Sequence, residues 1–371
     1  VLVTLVGAAS IYAGKKDYLV SAAPHDYSVT GTNVDLTNTQ KVMSDFLAQS
    51  GNQVNEKTEV TYLYFGIKEQ EKNKLTIFSE NERKVLPKSI FLVFSQATYK
   101  QLTGKNLNLA SNQVGLFTKN KTLKSQKSLS VNGQTYQIQD ALNDFIKGKV
   151  PNIFTIIVSD YNYLVVPDMD NFKESIKGTA TTQATYIGIN VKDPSHDAKK
   201  NSDLLDELTD KETQQLAGQT TGVPESYLTA NSRYDTEGML NGFVGGTFFI
   251  GIFLSIIFML GTVLVIYYKQ ISEGYEDRER FVILQKIGLD DQQVKKTIRK
   301  QVLTVFFLPL IFAITHLAFA YHMISLIVRV IGVLNPDLML MVTIIVCGVF
   351  FLAYVLVFTL TSRSYRRIVS M

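Results

Sequence analysis

The chain has 371 residues, a formal net charge of +4 and 19% charged residues. That length is enough for two or three folding units. The charge is weak, and no Lys/Arg cluster interleaved with aromatics is present, which argues against nucleic acid as a partner. A single cysteine, Cys347, excludes a disulfide within the chain, and His25, His196, His316 and His322 are too scattered for zinc-ligand spacing.

Residues 1–13 are apolar but rise only about 20 Å as a helix, short of the roughly 30 Å hydrocarbon core of a bilayer. Two readings fit. One is the end of a membrane helix, residues 1–14. The other is the remnant of a signal peptide, with Ala8-Ala9-Ser10 as a small-residue cleavage region. No basic segment precedes the run and a mature secreted chain would not keep it, so the helix reading is preferred.

Residues 15–238 are polar and rich in Lys, Asn, Thr, Gln, Ser and Tyr. Their patterning predicts a helix over 37–50 that buries Val42, Phe46 and Leu47. Strands are expected over 57–67, 74–78, 89–94 and 113–117, with a helix over 96–102. Asn132-Gly133 between alternating residues predicts a hairpin over 128–138. A short helix over 141–147 follows, then a strand pair over 152–166 turning at 160–162. A strand over 182–191 and a helix over 202–216, striped by Leu204, Leu205, Leu208 and Leu216, complete a mixed α+β domain with antiparallel pairs.

No catalytic constellation emerges from this domain. Asp168 and Asp170 read as a solvated turn, His25 follows Pro24 without an identifiable partner, and His196 sits in a polar loop. Gly104-Lys105 lacks the upstream glycine and the following hydroxyl residue of a phosphate-binding loop, and no glycine-rich dinucleotide fingerprint follows a strand. Neither a cofactor nor a metal site is expected.

Three apolar segments follow, over 239–268, 301–326 and 338–360, each compatible with crossing a bilayer. Gly242, Gly246, Gly251 and Ser255 place small residues along the first, as close helix packing in lipid requires, although glycine is common in membrane helices generally. Pro309 predicts a kink or loosening near Thr304 in the second. His316 lies deep in that span, where an imidazole needs a partner and is expected to face other helices. A short polar hinge, residues 327–337, separates the second and third spans, and 361–371 form a basic tail.

Between the first two spans lies a charged stretch, residues 269–300. Phe281, Leu284 and Ile287 recur at three-residue steps and share a helix face, while Glu276 and Arg280 are spaced to pair on the solvated side. Gly288 reads as a C-cap, and Asp290 with Gln293 as the capping box of a second helix carried on by Val294, Ile298 and Val302. Composition alone would allow an ordinary loop; the pattern favours a docking surface. Basic residues are concentrated in this stretch and in the tail, so the positive-inside rule puts both in the cytoplasm and the hinge and large domain outside.

Arg280, Phe281, Leu284, Gln285, Lys286, Ile287 and Gly288 resemble the segment R-E-x-x-x-L-R-x-I-G that follows a membrane helix in FtsX-like, or MacB-type, ABC transporter permeases. Phe281 stands where that segment has glutamate, and Glu279 precedes the arginine. The layout is similar to the C-terminal half of the bacitracin-export branch of Gram-positive bacteria. The resemblance implies a membrane α-helical permease domain carrying a large extracellular mixed α+β domain between spans seven and eight. It implies no catalysis in this subunit and no cofactor.

The implied partners are a cytoplasmic ABC ATPase dimer, the N-terminal half of the same permease, a membrane histidine kinase, and an antimicrobial peptide or lipid-linked cell-wall precursor. ATPase docking would fall to Phe281, Leu284, Gln285, Ile287 and Gly288, with Arg278, Arg280 and Lys286 as the polar rim. Those three cations could instead anchor to lipid headgroups. Two related readings stay open: a macrolide- or lipoprotein-type MacB-like permease, and an FtsX-type regulator of cell-wall hydrolases.

Overall fold

The computed structural model describes residues 1–83, 85, 87–151, 160–217, 226–286, 288, 291–330 and 335–369. The chain divides into two compact units. Lys16–Met239 forms one, and Val1–Lys15 with Leu240–Met371 forms the other.

The first unit is built on ten described strands: β1 (Tyr27–Thr32), β2 (Val54–Glu71), β3 (Lys74–Ile77), β4 (Ser89–Ser95), β5 (Gln113–Thr118), β6 (Ser128–Val131), β7 (Gln134–Ala141), β8 (Asp160–Val166), β9 (Thr181–Val191) and β10 (Tyr227–Ser232). Seven of them close on themselves. The order β2-β3-β6-β7-β5-β8-β4 is completed when β4 returns to β2 through the antiparallel pairs Leu63↔Val93 to Ile67↔Ser89. The barrel is mixed, since β4 and β8 run parallel, as do β5 and β7. The first half of β2 also pairs with β9, and β9-β1-β10 extends the sheet beyond the barrel.

Alternation sorts the side chains into three cores. Leu63, Phe65 and Ile67 of β2 meet Phe91 and Val93 of β4 and Leu164 and Val166 of β8 inside the barrel. Helix α4 (Lys121–Lys124) supplies Leu123 to that core, and α5 (Met169–Ser175) supplies Phe172. The opposite faces of the same strands carry Tyr62, Leu92, Phe94, Tyr163 and Val165, which α3 (Gln96–Thr103) covers with Tyr99 and Leu102. Over the sheet extension, α2 (Leu36–Ser50) and α6 (Ala198–Ala217) bury Val42, Met43, Phe46 and Leu205 against Tyr27, Val29 and Ile187. Leu47, Leu204, Leu208 and Leu216 are only partly buried there.

Local chemistry explains the turns. Asn132 and Gly133 both hold positive φ, 50° and 90°, in the two-residue loop between Val131 and Gln134, as a primed hairpin turn requires. Gly51 and Gly104 cap α2 and α3 at φ 68° and 73°. Asp168, read from sequence as a turn residue, caps α5 by accepting from the Asn171 N–H at 2.8 Å.

Two expectations for this domain fail. Residues 141–147 are not a helix: Ala141 ends β7, the Leu142 N–H donates to the Leu116 carbonyl at 2.9 Å, and irregular backbone follows. The spacing of Leu142, Phe145 and Ile146 mimics a helical stripe, but those side chains plug the core under Tyr163. Residues 160–162 are not a turn either. They open β8, pairing with Ser89, Ile90 and Phe91, and Asn162 is fully buried because Ser89 and Thr118 satisfy it. The other half of that expected strand pair, 152–159, lies outside the described residues.

The second unit contains α1 up to Lys15, and three long helices. Helix α1 (Leu2–Ala22) continues past the apolar run through Lys15, Lys16 and Asp17. Helix α7 (Arg233–Lys286) has 54 residues, about 80 Å at 1.5 Å per residue, well beyond a bilayer's roughly 30 Å core. It joins the first apolar segment and the charged stretch in one element. Helix α8 (Asp291–Val330) runs on through Pro309, and α9 is Pro336–Val369. Asn335 accepts from the N–H groups of Asp337 and Leu338 at 3.0 and 3.2 Å, so the expected hinge dipeptide is the N-cap and first residue of α9. Among the described residues, three stretches are long and apolar enough to cross a membrane, Arg233–Arg280, Phe307–Val328 and Pro336–Thr361.

Candidate functional site

The charged stretch is the distal end of α7, a break, and the start of α8. Lys269 and Glu273 face each other at 3.8 Å, one helical turn apart. Gln270 beside them is buried, as are Tyr354 and Thr361 of α9. Further on, Arg278, Arg280 and Lys286 are exposed, and so are Val282 and Ile283. Phe281, Leu284 and Gln285 lie on α7 by backbone position. Ile287 and Asp290 lie outside the described residues, and with them the expected capping box.

The helix stops where the sequence predicts. Gly288 has φ +104°, a conformation that a Cβ would strain. A 54-residue helix and a 40-residue helix thus meet across a handful of residues, with cations on the final turns of the first. Cations there complement the partial negative charge of a helix C-terminus. Chemically this is a charged helix end of mixed sign, with Glu276 and Glu279 exposed beside Arg278, Arg280 and Lys286. Among the described residues no group of three or more His, Cys, Asp or Glu is placed to hold a metal ion.

The small residues of α7 divide between two faces. Gly251 packs under Ala8 of α1, where an added Cβ would come within 2.7 Å of the Ala8 Cβ. Tyr12 stacks on Phe248 at 4.7 Å and Lys15 donates to Asn241, so α1 and this part of α7 run antiparallel. Ser255 is buried one turn beyond Gly251 and bonds back to its carbonyl at 2.7 Å. Gly242 and Gly246 have open space around them. The reason is phase: Gly246 is five residues from Gly251, about 140° round the helix, whereas Leu240, Val244, Gly251 and Ser255 share the buried side. Pro309 and His316 of α8 are exposed on the described chain, although an inward-facing His316 is the expectation from sequence.

In the barrel unit, sequence reasoning misses a polar cluster at the root of the domain. His25 is 2% exposed; its Nδ1 lies 2.7 Å from the Tyr186 hydroxyl and its Nε2 2.9 Å from Thr58 Oγ1. Burial pulls its pKa down from 6.5 to about 4, outweighing Glu56, which favours the charged ring. Gly188 makes room for the pair: a Cβ there would sit 2.4 Å from His25 Nδ1. Beside it, Asp26 and Arg233 form an ion pair at 2.9 Å. The only sequence signal was a histidine and an aspartate next to the domain edge. By contrast His196 is solvated, with Asp197 at 4.0 Å.

Comparison with known proteins bears on the membrane unit. Residues 252–369 match the FtsX-like permease C-terminal family model. The chain is 32% identical to the ABC transporter permease protein YxdM of Bacillus subtilis over 77 residues, 21% of this chain and 12% of that protein. It is 28% identical to the bacitracin export permease protein BceB of the same organism over 138 residues, 37% of this chain and 19% of that one. These matches span far less than two thirds of either relative.

Among solved structures, a lipoprotein from Bacillus anthracis covers 47% of this chain and 91% of its own, at 11% identity and a TM-score of 0.27, too slight a likeness to bear on fold or function. The expectation of a permease-type membrane segment therefore holds at the level of the family. Residues 252–369 are similar to the C-terminal segment of FtsX-like permeases.

Proposed function

We propose that this chain is part of an ABC transporter permease subunit that serves resistance to, and sensing of, bacitracin-like antimicrobial peptides. A separate cytoplasmic ATPase dimer docks on the corner at Gly288. Phe281, Leu284 and Ile287 supply its apolar contact, Gln285 and Gly288 lie within the same docking segment, and Arg278, Arg280 and Lys286 form the polar rim. An apolar helix face in a partner's groove, with flanking charges setting register, is a common mode of helix recognition. The barrel domain lies outside the cell and handles peptide or peptide–lipid complexes. The N-terminal half of the permease completes the membrane region, and a membrane histidine kinase reads the state of the complex.

The observation that carries this reading is the continuity of α7. One helix starts at Arg233, directly after β10 of the barrel unit, and ends at Lys286, at the charged corner. Support for the peptide class comes from the similarity to a relative named as a bacitracin export permease. In the test, Leu284 and Ile287 are both replaced by Asp. The variant is expected to insert in the membrane and lose the ATPase on co-purification. Undiminished co-purification would remove the docking role. Deleting residues 30–230 is expected to abolish peptide response, and retained resistance would exclude the barrel domain as the sensor.

A further inference from the structure

The barrel unit is joined to both of its helices without slack. Ser232 ends β10 and Arg233 begins α7, so no linker separates strand from helix; the Ser232 hydroxyl accepts from the Asp235 N–H at 3.1 Å as the cap. Only residues 23–26 separate Ala22, the end of α1, from Tyr27, the start of β1. Every one of those four is held. Arg233 Nε donates to the Ala23 carbonyl at 3.1 Å, Nη2 to the Pro24 carbonyl, and Nη1 to Asp26 Oδ1 at 2.9 Å. His25 is held by Tyr186 and Thr58. The Asn231 amide adds a bond to the Ala22 carbonyl at 3.0 Å.

The carboxylate is shared with the sheet. Asp26 is 7% exposed; its Oδ2 accepts from the Val191 N–H of β9 at 3.0 Å, and its own N–H donates to Asn190 Oδ1 at 3.1 Å. The Asp26 carbonyl accepts from the Arg233 N–H at 2.9 Å. One planar guanidinium therefore joins the segment after α1, β9 through Asp26, and the first residue of α7. A lysine, with a single nitrogen, could not reach three separated oxygens at once. A connection meant to swivel would need loose residues, and this one has none.

We propose that Arg233 is the positioning residue of a joint that fastens the last turn of α1 and the first turn of α7 to β1 and β9, so that both helix ends and the sheet move as one body. The purpose of such a joint rests on the transmission role given above; its existence does not.

The test uses the full chain in lipid with Cys347→Ser as the background. Spin labels are placed in pairs at Lys16 and Met239, at Met239 and Lys200, and, as a control within the domain, at Asp45 and Lys200. Pulsed electron paramagnetic resonance reads the width of each distance distribution. The parent is expected to give narrow distributions for all three pairs. Arg233→Ala should broaden the first two at least twofold and leave the control narrow, and Arg233→Lys should fall between. Unchanged widths in Arg233→Ala would overturn the joint.

If Arg233→Ala broadens the control as well, Asp26→Asn decides, and unchanged widths there overturn the proposal too. Peptide resistance is measured alongside. Full resistance with a loosened joint would overturn its part in transmission. A parent joined to the N-terminal half of its permease and to the ATPase that gives no peptide response, but whose widths answer to Arg233, would sink the transport reading and leave the joint standing.

Discussion

In the barrel domain, Phe91, Leu92, Val93 and Phe94 are consecutive residues that each lie fully buried. In α7, Phe253, Ile256, Ile257 and Phe258 are each about half exposed or more. The residue types are alike and the placement is opposite. In β4 both faces of the strand meet core, one inside the barrel and one beneath α3, as a strand buried on two sides requires. In α7 the buried side carries Leu240, Val244, Gly251, Ser255 and Ile266, with Gly251 against Ala8 of α1, while Phe253, Ile256, Ile257 and Phe258 point outward. Outward apolar bulk and inward small residues suit lipid as the surrounding solvent, where packing and close approach hold helices together and the hydrophobic effect does not.

The two units should therefore break under different substitutions. The largest effect is expected in the barrel. Phe91→Ala removes a ring stacked on Phe65 at 5.7 Å and should cost about 3–5 kcal/mol in denaturant unfolding of the domain. Phe253→Ala, on the outward side of α7, should leave the same unfolding midpoint unchanged. Equal losses would mean that the outward residues of α7 pack as a core.

Acid sharpens the contrast next. The folded His25 pKa is about 4 against 6.5 when free, so as pH falls the unfolded chain takes up the proton first. Stability should be full above pH 6.5, decline between 6.5 and about 4, and level off below, a loss of up to about 3 kcal/mol from this group. His25→Gln should flatten that part of the profile. A wild-type profile as flat as the variant's would contradict the buried neutral ring.

A smaller effect is expected from overpacking at a glycine. Gly188→Ala forces a methyl group onto His25 and should cost about 1–3 kcal/mol in the same unfolding measurement. In the membrane unit the matched pair is Gly251→Leu and Gly246→Leu. The first should disrupt the packing of α1, read as loss of cross-linking between cysteines placed at Tyr12 and Phe248, and the second should leave it intact.

How much of this was legible beforehand depended on how local each feature is. The hairpin at Asn132-Gly133, the cap at Gly288 and the apolar helices follow from neighbouring residues, and sequence predicts them. β1 and β10, YSVTGT and YLTANS, are too polar to announce themselves as strands. They exist because β9 and each other complete their ladders. Barrel closure depends on β2 meeting β4 and on β4 running parallel to β8, pairings between residues far apart that no periodicity encodes. The same holds for the root cluster, since Asp26 and Arg233 are 207 positions apart. In the charged stretch, the helix end at Gly288 and the basic residues follow from sequence alone.

The proposed transmission requires the barrel domain and the charged stretch to lie on opposite sides of one membrane. In a Cys347→Ser background, single cysteines at Gln285 and at Lys200 are exposed to a membrane-impermeant thiol reagent on intact cells and again after permeabilisation. Lys200→Cys should label on intact cells, and Gln285→Cys only once the membrane is opened. Labelling of Gln285→Cys from outside would contradict the account.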